Sequence, residues 1–438
     1  MTEEEVQKIT DVVCPFCGCL CDDVEIDVAN NKVVTTYNAC TIGTTKFFSV
    51  NETEHRFTKP MLRKNGKFVP ISWDEAIERA AKILLNAERP LLYGFSSTSN
   101  EAIGEGFKLA EEVGGVLDQT ASVCHGPSVL AIQDVGRSAA TLGEIRSRAN
   151  VIVYWGSNPS AAHPRHMSRY SMFVRGFFRE KGAKERTLIV VDPRNTDAAK
   201  LADIHIKVEQ GKDYELVSAM RAALRGIEIP EMVAGIPKKD ILEVLEIMKK
   251  AYFGVVFFGM GLTQTFGRHR NIDNAINLIR ELNSYTKWII SPMRGHYNVT
   301  GAGTVWTWQT GYPMSIDFAR GYPRYNPGEY CANDILVNGE ADAALIIASD
   351  PGAHFPAKSI RHLAKIPVIA IEPHITPTTE LAELILPPAI VGVETEGTAY
   401  RMDHVPIRLR KVVDAPDECL PDEVILERLT QKVRELKK

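Results

Sequence analysis

The sequence predicts an α/β fold of two interleaved, doubly wound, Rossmann-like domains, preceded by a small β-rich domain at the N-terminus. Three observations predict it. Five of the eight cysteines lie in the first forty residues, apolar strands alternate with helices along the rest, and one strand–turn pattern occurs twice. Strand–helix alternation is typical of parallel sheets with helices on both faces. No low-complexity linker divides the chain, so we expect domains that exchange segments.

Composition excludes several classes of protein. The chain has 438 residues, of which 45% are hydrophobic and 24% are charged, as in ordinary globular proteins. Its net charge of −4 lacks the basic excess of a nucleic-acid-binding protein. The longest mostly apolar run, 251–262, is too short and glycine-broken to span a bilayer. Residues 1–5 are acidic rather than a basic leader, so we expect a cytoplasmic protein.

The N-terminal cysteines predict a metal centre. Cys14, Cys17 and Cys21 follow a C-x2-C-x3-C pattern, and Cys40 follows after eighteen intervening residues. A chain without a leader rarely keeps a disulfide framework, so clustered thiolates favour a metal. Three close cysteines and a remote one are typical of a 4Fe–4S cluster, whereas a zinc ribbon would need a second C-x2-C pair. Zinc remains the alternative, and whether Cys19 or Cys21 completes the cluster stays open.

Local signals predict the elements in chain order. Two strands at 24–28 and 32–36 form a hairpin across Asn30 and Asn31. Ser72 to Glu75 form a capping box that begins a helix ending before Pro90. Further strands are predicted at 91–95, 151–155, 188–191, 255–258, 288–290, 343–348 and 368–371, and helices at 100–113, 214–224 and 271–282.

A duplication lies inside this alternation. The turn Gly156-Ser157-Asn158-Pro159 is echoed by Ala348-Ser349-Asp350-Pro351, and the strand end Asp192-Pro193 is echoed by Glu372-Pro373. Acids at the carboxyl ends of strands lie where open α/β sheets bind ligands, and they can accept hydrogen bonds from ribose or guanine. The duplicated pattern therefore predicts two nucleotide half-sites. The alternative is that two ordinary units share common turn residues.

These motifs resemble those of the molybdopterin oxidoreductase superfamily, which includes formate dehydrogenases. The similarity rests on the cysteine motif, residues 71–76, the turn at 156–159, the strand end at 192–194 and residues 386–401. Residues 14–19 and 122–127 are most similar to the catalytic-subunit family of formylmethanofuran dehydrogenases. The resemblance implies a bis(molybdopterin guanine dinucleotide) cofactor with tungsten or molybdenum, together with a 4Fe–4S cluster. It does not choose between the two metals.

The resemblance also implies roles for individual residues. Cys124 would bind the metal as a soft thiolate, although a lone cysteine is more often a buried structural thiol. His125 would carry protons or only brace its loop, and Arg294 would hold formate or CO2 through its planar guanidinium. Lys46 would lie between cluster and pterin, or be a surface lysine. The implied cofactor contacts are Gly156, Ser157, Asn158, Asp192, Arg194, Ser349, Asp350, Glu372, Glu396, Thr398 and Arg401.

The resemblance implies a domain division as well. An iron–sulfur domain at 1–60 precedes one α/β pterin domain, formed by 61–123 and 296–389. A second α/β pterin domain occupies 124–295, and a pterin-contact segment with a charged helical tail occupies 390–438. Standalone relatives continue into a β-barrel that covers the pterins, so a small β-barrel subunit is expected here.

The function implied is reduction of CO2 to formate within a multi-subunit archaeal complex of methanogenesis. No G-x-G-x-x-G fingerprint is present, because Gly254, Gly259 and Gly261 do not form one, so electrons would come from a polyferredoxin-type partner. Formate would pass to a zinc amidohydrolase-like subunit that formylates methanofuran. The alternatives are a standalone formate dehydrogenase and a non-catalytic iron–sulfur electron-transfer scaffold.

Overall fold

The computed structural model describes residues 6–438, and the expectation about a leader, which rests on residues 1–5, lies outside them. The chain forms two compact units. Unit 1 consists of Met1–Val123, His296–Arg401 and Pro406–Lys438, and unit 2 consists of Cys124–Gly295 with Met402–Val405. Unit 2 thus interrupts unit 1 along the sequence. Among the described residues, no helix has both the length and the apolar character needed to cross a bilayer.

The first part of unit 1 carries a small antiparallel sheet and the start of a larger one. Its elements are β1 Gln7–Val12, β2 Val24–Ala29, β3 Lys32–Tyr37, α1 Thr41–Ser49, β4 Met61–Lys64, β5 Lys67–Pro70, α2 Trp73–Asn86, β6 Pro90–Gly94, α3 Asn100–Val113, β7 Val116–Gln119 and α4 Ala121–Cys124. Strands β1, β2 and β3 form a sheet in that order. The hairpin prediction is confirmed, because Asn30 (φ 50°) and Asn31 (φ 58°) make the left-handed turn that a two-residue loop needs.

Unit 2 is a parallel α/β unit. Its elements are α5 Gly126–Val135, α6 Leu142–Arg148, β8 Val151–Trp155, α7 Pro159–Ala162, α8 His166–Arg169, a 3-10 turn Gly182–Glu185, β9 Thr187–Val191, α9 Asp197–Leu201, β10 Ile204–Ile206, α10 Asp213–Leu224, β11 Met232–Val233, β12 Ile236–Pro237, α11 Lys238–Lys249, β13 Phe253–Phe258, α12 Met260–Thr263, α13 His269–Leu282 and β14 Lys287–Pro292. The main sheet has the order β10-β9-β8-β13-β14, with every pair parallel. Its buried strands pack against α10, α11 and α13.

The rest of unit 1 completes a nine-stranded sheet. Its elements are α14 Val299–Thr310, β15 Ile316–Asp317, β16 Arg324–Tyr325, α15 Ala332–Asn338, β17 Ala343–Ile347, α16 Pro351–His354, α17 Ala357–Leu363, β18 Val368–Ile371, β19 Leu384–Leu386, β20 Gly397–Tyr400, β21 Pro406–Leu409 and α18 Asp422–Leu436. The order is β16-β15-β7-β6-β17-β18-β19-β4-β5. The predicted parallel pairing holds from β7 to β19, whereas β4, β5, β15 and β16 at the two edges pair antiparallel.

Local caps explain where the helices begin and end. Ser72 Oγ accepts the N–H of Glu75 at 3.2 Å, which confirms the capping box that opens α2. Helix α3 ends at Gly114 in the left-handed conformation (φ 65°), as glycine permits. The predicted charged tail is helical, but it is not peripheral. Its apolar stripe, which includes Leu426 and Leu429, is fully buried in the core that also contains α2 and α3 residues.

A buried ion pair fastens the segment after β19 in unit 1. Arg56 and Glu394 form two hydrogen bonds, one of them 2.6 Å between Nη2 and Oε2, and their side chains are only 1% and 2% exposed. Glu394 Oε2 also accepts the N–H of Ile390 at 2.8 Å. The planar guanidinium and the carboxylate therefore satisfy each other away from water.

We expect Glu394→Ala to destabilise unit 1 by about 3–5 kcal/mol, because it leaves the Arg56 charge buried without its partner. Asp74→Ala is the matched control, since Asp74 pairs with Arg428 while its own side chain is 94% exposed, and such pairs contribute at most about 1 kcal/mol. Urea unfolding followed by hydrogen exchange in β17 measures both. Equal midpoints for the two variants would contradict the assignment.

Candidate active site

The candidate site of unit 2 lies at the carboxyl ends of β8, β13 and β14. Parallel strands bring these ends to one edge of the sheet, where Gly156 and Gly259 follow β8 and β13. A Cβ on Gly261 would lie 2.6 Å from the Cα of Gly156, and Gly156 has φ 55°. The two loops therefore touch backbone to backbone. The sequence reasoning set Gly259 and Gly261 aside, although Gly-Met-Gly directly after an apolar strand was the signal for this contact.

Cys124 is the last residue of α4, and its backbone is held by the loop after β13. Its carbonyl accepts hydrogen bonds from Thr263 Oγ1 and Gln264 Nε2, each at 2.8 Å. Burial raises the pKa of the Cys124 thiol to about 11, while the backbone N–H of His125 and the charge of Arg294 act in the opposite direction. Thr263 and Gln264 were missed by the sequence reasoning.

Arg294 follows β14 and is 7% exposed. Burial lowers its pKa to about 10, with a further contribution from the charge of Arg137, and the Cys124 thiol acts in the opposite direction. Arg294 remains a cation at neutral pH. The charge of Arg294 favours the thiolate form of Cys124, although burial outweighs this effect.

His125 is buried, and both of its ring nitrogens have partners. Nε2 lies 3.1 Å from the carbonyl oxygen of Met293, and Nδ1 lies 3.1 Å from Ser128 Oγ. A carbonyl only accepts, so Nε2 carries the proton and Nδ1 accepts from the Ser128 hydroxyl. Burial, with the charge of Arg294, lowers the His125 pKa to about 3. These contacts favour the bracing interpretation, because a second proton on the ring would reverse the hydrogen bond to Ser128 and place a positive charge in a buried site.

A second buried imidazole holds the same strand end. His163 Nε2 lies 2.8 Å from the carbonyl oxygen of Arg294, so two histidines fix the consecutive carbonyls of Met293 and Arg294. Next to it, His166 Nδ1 lies 2.7 Å from the Tyr154 hydroxyl. Nothing in the local sequence indicates this role of His163, because the contact joins residues 131 positions apart.

The predicted nucleotide residues of unit 2 surround the turn after β8. Ser157 is buried, and Asn158 Oδ1 is a buried oxygen with no hydrogen-bond partner within the described part of the chain. Asp192 Oδ1 accepts the N–H of Arg194 at 2.8 Å, and the Arg194 side chain is 72% exposed. An orphaned oxygen beside a glycine-bounded loop fits a ligand that donates an N–H or O–H.

Unit 1 repeats this geometry, which confirms the duplication. Ala348 (φ 46°) takes the left-handed position of Gly156, and Asp350 (φ −122°, ψ 69°) matches Asn158 (φ −114°, ψ 86°). Glu372 Oε1 accepts the N–H of His374 at 3.1 Å, as Asp192 does from Arg194. The copies differ at one atom. Asp350 Oδ1 is occupied by the N–H and hydroxyl of Thr378, at 2.9 and 2.6 Å.

The remaining candidates of unit 1 are placed less distinctly. Ser349 is half-buried after β17, and Arg401 is buried after β20. Thr398 donates its N–H and hydroxyl to Glu101, at 2.9 and 2.8 Å. Glu396 accepts from Arg408 at 2.6 Å on the surface. Lys46 is exposed on α1, so the surface interpretation stays open.

The N-terminal cysteines lie together in unit 1. The Cys14 N–H donates to the Cys21 carbonyl at 2.9 Å, and Cys40 Sγ accepts the N–H of Gly43 at 3.4 Å. A Cβ on Gly43 would lie 3.2 Å from Cys14 Sγ and 3.8 Å from Cys40 Sγ. Burial, followed by the neighbouring Cys21, Cys17 and Cys40 thiols, raises the Cys14 pKa. Cys14 and Cys40 therefore both lie next to Gly43, and Cys17 and Cys21 are near enough to act on the Cys14 thiol.

Cys19 is distinguished from the other thiols by burial. It is 1% exposed, and its pKa is raised well above the usual value by a hydrogen bond to Cys17 and by burial. The same hydrogen bond lowers the pKa of Cys17. Cys19 therefore behaves as a protonated donor to Cys17. Within residues 6–438, no three Cys, His, Asp or Glu side chains are arranged around a single metal ion.

Three buried histidines predict that unit 2 loses stability in acid. Burial lowers the pKa of His125 to about 3, and it also lowers the pKa of His163 and His166. Because each folded pKa lies below the unfolded value of about 6.5, stability is complete above that value and falls as pH decreases. At pH 4.5 the shift of His125 alone costs about 3 kcal/mol, or about a hundredfold in protection.

Hydrogen exchange of β8 and β14 in the cofactor-free chain at pH 7 and 4.5, corrected for intrinsic rates, measures this loss. Strand β17 of unit 1 is the internal control. Near it the buried Asp118 and Asp422 have pKa values raised to about 6 and about 7, which stabilises the fold in acid. Unchanged protection of β8 and β14 between the two pH values would refute the prediction.

Known proteins show the family. The molybdopterin oxidoreductase family model matches residues 56–432. The B-subunit of tungsten-containing formylmethanofuran dehydrogenase 2 from Methanocaldococcus jannaschii is 60% identical, covering 98% of this chain and 100% of that protein. Its counterpart in Methanococcus maripaludis is 55% identical, covering 99% and 100%. A chain of the formyltransferase/hydrolase complex FhcABCD from Methylorubrum extorquens, solved with methylofuran, shares the fold (TM-score 0.70, 21% identity, 86% of this chain and 99% of that one). The chain belongs to the molybdopterin oxidoreductase family.

Proposed function

We propose that the chain is the catalytic subunit of a formylmethanofuran dehydrogenase, which reduces CO2 to formate with electrons from a 4Fe–4S cluster. The observation that carries this proposal is that the charge of Arg294, after β14, acts on the Cys124 thiol, while Thr263 and Gln264 hold the Cys124 backbone next to the glycine loops. The relatives at 60% and 55% identity bear the name of that enzyme and cover the whole chain, which supports the same assignment.

The residues of unit 2 fit a bis(molybdopterin guanine dinucleotide) cofactor with tungsten or molybdenum. Cys124 would bind the metal, because a thiolate is the soft ligand that such metals accept beside dithiolene sulfurs. When bound, the cofactor supplies the two-electron chemistry. Asn158 Oδ1 offers the buried acceptor that the cofactor would satisfy. Thr263 and Gln264 hold the Cys124 backbone, so the thiol keeps one position.

Arg294 would bind the substrate. CO2 is uncharged and formate is an anion, so a buried guanidinium interacts more strongly as negative charge develops on the carboxyl oxygens. Its planar fork can donate two parallel hydrogen bonds to those oxygens. His125 and His163 would act as positioning residues, because they hold the carbonyls on either side of the Met293–Arg294 peptide bond.

The two half-sites would each take one guanine nucleotide end. In unit 2 these residues are Gly156, Ser157, Asn158, Asp192 and Arg194, and in unit 1 they are Ser349, Asp350 and Glu372. We assign Glu396, Thr398 and Arg401 to pterin contact and Lys46 to a position between cluster and pterin.

The cluster would be held by Cys14, Cys17, Cys21 and Cys40, with Cys19 as a hydrogen-bond donor to Cys17. This choice rests on the burial and the raised pKa of Cys19 and on the closeness of Cys14 and Cys40 to Gly43. Electrons would come from a polyferredoxin-type subunit. A zinc amidohydrolase-like subunit would condense formate with methanofuran, and a small β-barrel subunit would cover the pterins.

We expect Cys40→Ser to remove most of the iron from the anaerobically purified complex, whereas Cys19→Ser should retain about four irons per chain. Gly43→Ala should lower iron retention, since its methyl group would press on Cys14 Sγ. Iron analysis and electron paramagnetic resonance of the reduced complex measure all three. Stoichiometric zinc without iron in the unmodified complex would refute the cluster, and iron loss in Cys19→Ser alone would reassign the fourth ligand.

We expect Arg294→Ala to slow viologen-linked formate oxidation and CO2 reduction by about 10²–10³, the usual effect of removing a donor from a dry site. Arg294→Lys should be nearly as slow, because it keeps the charge but loses the planar fork. The control is Arg280→Ala on the exposed face of α13, which should leave both rates unchanged. Near-normal rates of Arg294→Ala at full metal occupancy would remove Arg294 from the substrate site.

A further inference from the structure

A two-residue turn in unit 2 presents bare phenylalanine rings. Gly176 and Arg179 exchange two backbone hydrogen bonds, of 3.1 and 3.0 Å, which places Phe177 and Phe178 at the tip. Phe177 is 79% exposed, Phe178 is 43% exposed, and the nearby Phe173 is 45% exposed. We call residues 173–179 the Phe177 turn. Exposing a large aromatic ring to water is unfavourable in free energy, and folding of this chain alone does not offset that free energy.

The Phe177 turn is anchored from below by a buried arginine. Arg186 is 6% exposed, and its guanidinium donates to four backbone carbonyls. These carbonyls belong to Arg146, Ala149, Met172 and Val174. These hydrogen bonds fix the loop, because without Arg186 the carbonyl oxygens would lack a partner away from water.

Helix α6 holds the Phe177 turn from the side. Arg146 Nε donates to the Arg175 carbonyl and Arg179 Nε to the Arg148 carbonyl, both at 3.1 Å. A Cβ on Gly176 would lie 2.1 Å from the Arg146 carbonyl oxygen, so only glycine fits there. The tip is therefore rigid while its rings remain exposed. A preordered aromatic residue loses little entropy on binding, which is typical of an interface anchor.

The surroundings of the turn are basic. Residues 165–186 contain seven arginines and lysines against two glutamates, although the whole chain has a net charge of −4. A depression of about 610 Å³ adjoins Phe177, and Arg146, Arg175 and Glu180 contribute to its lining. Arg148 also lies over the Phe178 ring, 4.6 Å from its centroid. An apolar centre with a cationic rim matches a partner with an apolar pocket rimmed by carboxylates.

We propose that the Phe177 turn is the docking site for an acidic subunit of the same complex, whose apolar pocket receives the Phe177 ring. The inference rests on the proposed function in one respect, namely that the partner is a subunit that co-purifies with this chain. A membrane is a poorer match, because the turn offers only three phenylalanines and the chain as a whole is acidic.

The test uses the affinity-tagged full chain expressed in its native complex, with subunit composition measured by quantitative mass spectrometry. Phe177→Ser should reduce the occupancy of one acidic subunit at least tenfold. The double variant Arg175→Glu/Lys181→Glu should lose the same subunit. It should do so at a lower salt concentration than is needed to dissociate that subunit from the unmodified complex, because salt screens charges at the rim of an interface. Tyr322→Ser, at an aromatic residue of unit 1 that is 53% exposed, is the matched control and should retain every subunit.

Metal and iron content of the tagged chain should be unchanged in all variants, since the turn is remote in sequence from the cysteines and its tip is exposed. A native complex that lacked metal and formate activity would instead count against the proposed function. Three results would overturn the docking proposal. They are full subunit occupancy in Phe177→Ser, loss of a basic rather than an acidic subunit, and Phe177-dependent binding of the purified complex to vesicles of anionic phospholipid.

Discussion

The candidate site depends on one short stretch of backbone after β14. Two buried imidazoles, His125 and His163, donate to the consecutive carbonyls of Met293 and Arg294. A carbonyl out of water must be paired, so each bond removes a freedom that the strand end would otherwise have. Arg294 belongs to this peptide, so its backbone is fixed at a place from which its charge acts on the Cys124 thiol. The low pKa of these histidines follows from the same burial and keeps them neutral and able to donate.

Duplication explains how one fold repeats the turn to which we assign the two nucleotide half-sites. Gly156 and Ala348 share a left-handed conformation, and the acids Asp192 and Glu372 each cap a following N–H. The two turns thus share a backbone conformation but differ in the hydrogen bonding of one side-chain oxygen, Oδ1 of Asn158 or of Asp350. Asn158 keeps a buried oxygen available, whereas the matching oxygen of Asp350 is occupied by Thr378. We infer that the two nucleotide ends are recognised by unequal sets of donors and acceptors.

Much of this could be predicted from the sequence, and the exceptions have physical reasons. The turn at Asn30, the cap at Ser72 and the stop at Gly114 are local signals, and the structure places all three as predicted. The antiparallel edges of the large sheet escaped prediction because strands of two to four residues carry almost no periodicity. The contact of His163 with Arg294 and the packing of Gly156 on Gly261 escaped because they join residues more than a hundred positions apart.

The central claim is that Cys124 binds the metal of the cofactor, and X-ray absorption at the metal edge tests it most directly. The measurement compares the intact complex with its Cys124→Ala variant, after pterin content has been shown to be equal. The account predicts one sulfur fewer in the metal's coordination shell in the variant, with the other sulfur ligands retained. An identical sulfur count in the two proteins would contradict it, because Cys124 would then be a buried structural thiol.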